Sequence, residues 1–248
     1  MKNALLIVHF GTTVPKAQES LRAVERTLRE SLPEYEVLVA LTSPTVRRVL
    51  KGRGETVFSL TEMLEQLKGY DRVLVQPTHL LYGFEYEGIA RTAAQYPNTV
   101  LGKPLLAQTE DLQALARCLK ARYADPQRVL VLMGHGTAHF ANMVYPAFQT
   151  VLRLEGFANS YVGTVEGWPS LDDVMHQLRA DDVHSVLLAP MMLVAGDHAC
   201  NDMAGPQPDS WKSQLEAQGF QVACHMEGLG MLPEVCAIYR KHLEAFSI

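Results

Sequence analysis

Short apolar runs alternate along this chain with longer stretches whose apolar residues recur every three or four positions. Residues 4–9 form the first run, continuous rather than alternating, which reads as a strand covered on both faces. It stops at Gly11-Thr12-Thr13, and Pro15 stands where a helix would begin. Over 17–32, Leu21, Val24 and Leu28 share one helical stripe. A strand is expected at 36–41, then a helix marked by Leu60, Met63, Leu64 and Leu67 and ended by Gly69. A strand at 72–75, a helix at 85–96, a short strand at 99–101 and a helix at 112–123 complete the first half. The same order restarts after Pro126. Strands are expected at 129–133, 160–165, 185–189 and 221–225, with helices through 154 and at 171–178, 211–218 and 233–246. Strand and helix repeated in this way call for an α/β fold whose parallel sheets are covered by helices on both faces.

The halves resemble each other in wording as well as in order. Leu6-Ile7-Val8-His9-Phe10-Gly11-Thr12 is echoed 125 positions later by Val131-Leu132-Met133-Gly134-His135-Gly136-Thr137. Val73-Leu74-Val75-Gln76-Pro77 is echoed 113 positions later by Val186-Leu187-Leu188-Ala189-Pro190, a shift that also sets Glu85 opposite His198. Two similar half-domains, 1–125 and 126–248, with a cleft between them are therefore expected, and ligands in such sheets bind beyond the carboxyl ends of the strands.

Composition narrows the function classes. The 22 basic against 27 acidic residues leave a net charge of −5, with no basic excess to neutralise phosphates, so nucleic acid is not the expected partner. The apolar run near the start is too short for a secretory signal, and no run approaches the roughly 18 apolar residues of a membrane span. A cytoplasmic protein is expected, and nothing decides between a single chain and a homo-oligomer. The four cysteines include no C-x-x-C pair and read as buried free thiols.

Four side chains stand at expected strand ends. His135 lies between two glycines, which lets a ligand approach the imidazole closely. His198 sits in a loop with Asp197, Asn201 and Asp202, which are placed either to orient it or to cap the next helix. Glu166 precedes Gly167-Trp168-Pro169, and Glu85 lies among Tyr82, Phe84 and Tyr86. Each glutamate alone reads as a solvated loop residue. Together, two imidazoles and two carboxylates suit a divalent cation such as Co²⁺, Fe²⁺, Ni²⁺ or Zn²⁺ held between loops. Gly11-Thr12-Thr13 and Gly136-Thr137 are expected to open helices, either as ordinary caps or as anion sites. Arg47, Arg48, Lys51 and Arg53 read as a solvated helix face, and Met133, Met191 and Met192 as core residues that also suit a flat apolar ligand.

Several segments resemble the CbiK-type sirohydrochlorin cobaltochelatases of anaerobic corrin synthesis. They are 4–13, Met133-Gly134-His135-Gly136-Thr137, Val165-Glu166-Gly167-Trp168-Pro169 and, most specific of all, residues 190–203 with Pro190-Met191-Met192 and Gly196-Asp197-His198-Ala199-Cys200-Asn201-Asp202-Met203. The resemblance covers the whole chain. It implies two Rossmann-like lobes, ATP-independent insertion of Co²⁺ into sirohydrochlorin, and His135, Glu166 and His198 as holders of the incoming metal. It further implies Glu85 in the same cavity. Because neutral imidazole accepts a proton near pH 7, His135 is the best candidate base, with Glu85 or Glu166 to orient it or carry the proton away. Phe10, Gly11, Thr12, Thr13, Glu85 and Met191 are then the expected macrocycle contacts. No nucleotide is implied, in keeping with the lack of a P-loop. The family usually carries a small residue where this chain has His9, which leaves open whether His9 binds substrate or is buried. An iron or nickel chelatase of the same fold, a haem- or tetrapyrrole-binding or de-chelating protein, and a binder of phosphorylated ligands remain as other readings.

Overall fold

The computed structural model describes residues 2–245. β1 (Asn3–His9), β2 (Glu36–Leu41), β3 (Arg72–Pro77) and β4 (Thr99–Leu101) form a parallel sheet in the order β2-β1-β3-β4. β5 (Val129–Gly134), β6 (Ser160–Thr164), β7 (Ser185–Met191) and β8 (Gln221–Cys224) form a second one in the order β6-β5-β7-β8. The two orders are the same permutation, so the repeat extends to strand pairing. Ala4 lies opposite Glu36 and Val73, as Leu130 lies opposite Ser160 and Leu187.

The helices are α1 (Gln18–Ser31), α2 (Pro44–Gly52), α3 (Leu60–Gln66), α4 (Phe84–Ala93), α5 (Thr109–Tyr123), α6 (Val144–Leu154), α7 (Leu171–Ala180), α8 (Trp211–Ala217) and α9 (Pro233–Glu244). Several start on a serine whose hydroxyl accepts a backbone N–H of the first turn: Ser43 for α2, Ser59 for α3, Ser170 for α7 and Ser210 for α8. Ser59–Glu62 and Ser170–Asp173 complete reciprocal capping boxes. The helix expected at 233–246 ends at Glu244, and its expected last residue, Phe246, lies outside the described residues. The polar run around Arg47 does form a helix, α2, but only Val46 and Leu50 of it are buried, too few to show a period. β3 extends beyond 75 because its pairing with β1 continues through Ile7–Gln76 and Val8–Pro77, and the buried Gln76 amide nitrogen donates to Pro77 O and Lys103 O.

The chain divides into two compact units, Met1–Ala107 with Gly230–Ile248, and Gln108–Leu229. This differs from a break at 125/126 in one systematic way. The last helix of each half belongs to the other unit: α5 packs on α6 and α9 packs on α1. The cause is burial. Leu115, Ala116 and Leu119 of α5 and Val235, Tyr239 and Leu243 of α9 are all but inaccessible to solvent in those settings. Each unit has its own core, built on Leu6, Val8, Leu64, Val75 and Ile89 in the first and on Val131, Met133, Val174, Leu178, Leu188 and Trp211 in the second. At about 1.5–3 kcal/mol per fully buried large apolar side chain, these layers dominate the stability of each unit. Among the described residues no helix is long and apolar enough to cross a membrane.

Candidate metal centre

β6, β5 and β7 are adjacent in the second sheet, so the segments leaving their carboxyl ends emerge side by side. His135 follows β5, Glu166 lies two residues past β6, and His198 stands in the loop after β7, directly ahead of a π-helical turn at Ala199–Met203. The backbone pairing of β5 and β6 continues past both strands. Val165 N–H donates to Gly134 O (3.0 Å) and Glu166 N–H to His135 O (2.8 Å), which pins the two ligand-bearing residues to each other. The close approach needs Gly136. Its φ is +83°, and a Cβ there would stand 2.6 Å from the Gly167 nitrogen. Buried Asn142 clasps the same two loops, accepting from Thr137 N–H (3.1 Å) and donating to Trp168 O (2.6 Å).

One potential ligand atom from each of His135, Glu166 and His198 lies within 4.8 Å of the other two. The imidazoles meet edge to face, 4.5 Å between centroids. His198 Nδ1 is 2.6 Å from Asp202 Oδ2, and His135 Nδ1 is 2.9 Å from the Gly136 carbonyl oxygen. Both partners are acceptors, so each ring carries its hydrogen on Nδ1 and keeps the Nε2 lone pair for a ligand. Glu166 Oε2 lies 3.8 Å from His135 Nδ1. The side chains are about one-third to three-fifths exposed, so the cluster opens to solvent, and its three donors fall short of a closed four-ligand shell. Two nitrogens and one carboxylate suit a borderline divalent cation and form no closed thiolate cage.

The remaining expected site residues belong to the first unit, except Met191. Glu85 is an exposed carboxylate in the first turn of α4, its Oε2 3.9 Å from Nε2 of His79, and it is not part of the three-residue cluster. Phe10 is half exposed after β1. Gly11 and Thr12 are buried, and Thr13 offers its carbonyl to Arg53 (2.7 Å). Neither Gly-Thr segment opens a helix. α1 starts only at Gln18, and after Thr137 comes a 3₁₀ turn at Phe140–Met143. Local side chains use N–H groups expected to meet anions: Val14 N–H donates to Thr12 Oγ1 and Thr137 N–H to Asn142. Met191 is fully buried at the end of β7, so its side chain packs in the core and offers no contact surface in this conformation. Of the basic run, Arg48, Lys51 and Arg53 are exposed as expected, whereas half-buried Arg47 donates to Leu41 O (2.5 Å) and Thr42 O (2.8 Å). Of the free thiols Cys236 is buried, but Cys200 is exposed, on the turn after His198. His9 is buried, held by Thr78 and Glu25. Asn142 carried no sequence signal, since its partners lie in loops that only folding brings together. Phe140 and Trp168, both exposed aromatics, flank those loops.

The family model described as cobalt chelatase (CbiK) matches residues 3–248. The chain is 35% identical to the sirohydrochlorin cobaltochelatase of Salmonella typhimurium, covering 98% of this chain and 96% of that one. It is 31% identical to the sirohydrochlorin cobaltochelatase CbiKC of Nitratidesulfovibrio vulgaris, covering 98% and 90%. Among solved structures, SirB from Bacillus subtilis with Fe³⁺ shares the fold at a TM-score of 0.65 and 18% identity, covering 98% of this chain and 95% of that one. The multi-domain DR2241 from Deinococcus radiodurans, described as similar to chelatases, does so at 0.61 and 17%, covering 97% and 54%. A match over nearly every residue, on a chain with two sheets of one strand order, places this protein in the CbiK cobalt chelatase family.

Proposed function

We propose that this chain inserts Co²⁺ into sirohydrochlorin without ATP, and that His135, Glu166 and His198 hold the incoming ion. The convergence of three ligand atoms at adjacent strand ends, with both imidazole Nδ1 atoms already engaged, carries this reading. Insertion exchanges one metal ion for two pyrrolic protons. A holder must therefore position the ion and then release it, which an open site of two imidazoles and a carboxylate permits better than thiolates do. As the ion leaves, the His135 Nε2 lone pair becomes free to take a pyrrole proton, since neutral imidazole is a competent base near pH 7. Glu85 serves as a second proton acceptor, and half-exposed Phe10, with Thr13 beyond the buried Gly11 and Thr12, contacts the macrocycle. Phe140 and Trp168 offer further flat apolar faces.

The same donors accept Fe²⁺ and Ni²⁺, so the test is a panel. Anaerobic protein is mixed with sirohydrochlorin and each metal in turn, without nucleotide, and the absorbance of the metallated product is followed. Wild type is expected to turn over fastest with Co²⁺. His135→Ala and His198→Ala are expected to lose about 100-fold or more while keeping the wild-type circular dichroism spectrum. Near-wild-type rates in both variants remove the assigned residues from the reaction. Spectral binding of the macrocycle without insertion of any metal points instead to a tetrapyrrole carrier.

A further inference from the structure

Sirohydrochlorin carries acetate and propionate groups around its rim, and a chain with a net charge of −5 must meet them with local cations. The first unit places one beside the expected macrocycle contacts. The pairing of β1 with β2 continues past both strands, Thr42 N–H donating to His9 O (2.8 Å) and Ser43 N–H to Phe10 O (3.3 Å). Ser43 caps α2, so the segment 10–13 starts against the beginning of that helix. Gly11 packs on it next: its φ is +99°, and a Cβ there would stand 2.9 Å from Val46 Cγ1. At the far end of α2, Arg53 Nη1 donates to the Thr13 carbonyl (2.7 Å). Val46, Val49 and Arg53 recur at helical spacing and share the face turned toward the segment. Phe10, Val49 and Arg53 are exposed, so an aromatic, an aliphatic and a cationic side chain border one seam.

Arg53 also lacks what neutralises its neighbour. Lys51, on the same helix, faces Glu62 at 3.7 Å, whereas Arg53 makes no ion pair among the described residues and α2 contains no acidic residue. With Nη1 held by the Thr13 carbonyl, the guanidinium is anchored, and its Nε–Nη2 edge has no partner among the described residues. That edge is the one a carboxylate grips through two parallel hydrogen bonds. We propose that Arg53 binds a rim carboxylate of the macrocycle through this edge, with Phe10 and Val49 against the apolar ring system beside it. The inference deepens the functional reading above and rests on it for the identity of the ligand. It makes Arg53 a specificity-determining residue, since a macrocycle whose rim bears only alkyl groups forfeits the contact.

Binding is read apart from insertion by titrating metal-free sirohydrochlorin into the full-length protein and following its absorbance. Arg53→Met keeps much of the side-chain length and removes the charge, and it is expected to weaken binding about fivefold or more. Between about 0.05 M and about 0.3 M KCl the wild-type affinity is expected to fall, and the Arg53→Met affinity to fall less. Arg53→Lys, which keeps the charge, is expected to return the wild-type salt dependence and part of the affinity. Arg48→Met takes the same charge from another face of α2 and is expected to stay within about twofold of wild type. Weaker binding by Arg53→Met with the wild-type salt dependence means that the side chain only holds the Thr13 segment, and overturns the contact. Affinity within about twofold of wild type, or an equal loss in Arg48→Met, overturns it as well. Wild-type protein that binds sirohydrochlorin but inserts no metal leaves this contact standing and removes the functional reading. Wild-type protein that does not bind sirohydrochlorin overturns both.

Discussion

A carboxylate 2.6 Å from Nδ1 of His198 accepts a hydrogen, and that fixes which nitrogen of the ring is left for a metal. Asp202→Asn keeps the size and removes the charge, and its amide NH₂ turned toward Nδ1 favours the other tautomer. Affinity for Co²⁺ is expected to fall about 10–100-fold, measured by titrating the metal alone into the protein. Unchanged affinity assigns Asp202 to the turn and not to the ligand. His79 carries a second single-residue consequence. The groups near it are His9 and Glu85. Its unfolded form takes up a proton below 6.5, whereas burial in the folded form delays uptake to about 4. The unfolded state therefore binds more protons across that window. The stability this histidine contributes is complete above pH 6.5 and is lost as pH falls toward 4, by up to about 3 kcal/mol. Urea midpoints at pH 7 and pH 4.5 are expected to drop further for wild type than for His79→Asn. Equal drops show that the residue does not titrate differently in the two states.

At the level of elements, the loop leaving β5 and the loop leaving β6 act as one piece, because Gly136 lets them touch and Asn142 ties them. Asn142→Ala strands the Thr137 N–H and the Trp168 carbonyl, at about 1–3 kcal/mol for each group left buried. Gly136→Ala meets both the positive φ and the Gly167 backbone, and is expected to cost about 2 kcal/mol or more. Both variants are expected to weaken Co²⁺ binding although neither residue is a ligand. Denaturation midpoints and metal titration on the same samples check this, and loss of stability with intact Co²⁺ affinity refutes the coupling. These elements also mark how far the chain's pattern could disclose the site. Buried strands such as β1 and β5 announce themselves as unbroken apolar runs, and His135, Glu166 and His198 come to light in the segments just past the ends of such runs. α2 buries two residues and leaves no period to read. Asn142 and the Thr78–His9 contact depend on partners distant in the chain, so no local window contains them. The Gly-Thr segments misled because glycine marks a turn without saying how many residues separate it from the helix.

On the scale of the whole chain, the exchange of α5 and α9 is a consequence of the repeat. Each half ends in a helix, and the structure packs α9 on α1 and α5 on α6, the helices that come after the first strand of each sheet. A cut at 125/126 therefore takes from each unit a helix that completes its core, whereas cuts at 107/108 and 229/230 separate whole cores. All three candidate metal ligands, their partners Asp202 and Gly136, and the Asn142 clasp lie within 108–229. A fragment of that span is expected to unfold cooperatively in urea and to bind Co²⁺ within about tenfold of the full chain, since a unit with its own core can fold alone. A 126–248 fragment, which lacks α5, is expected to bind more weakly and to unfold without a sharp transition. Leu115 and Leu119 of α5 are lost from its core, and burying each contributes about 1.5–3 kcal/mol. The comparison is informative because both fragments carry the same ligands and differ chiefly at their ends. Equal Co²⁺ affinity and equal cooperativity in the two would mean that α5 does not complete the second unit, and that the metal cluster stands independently of the core beneath it.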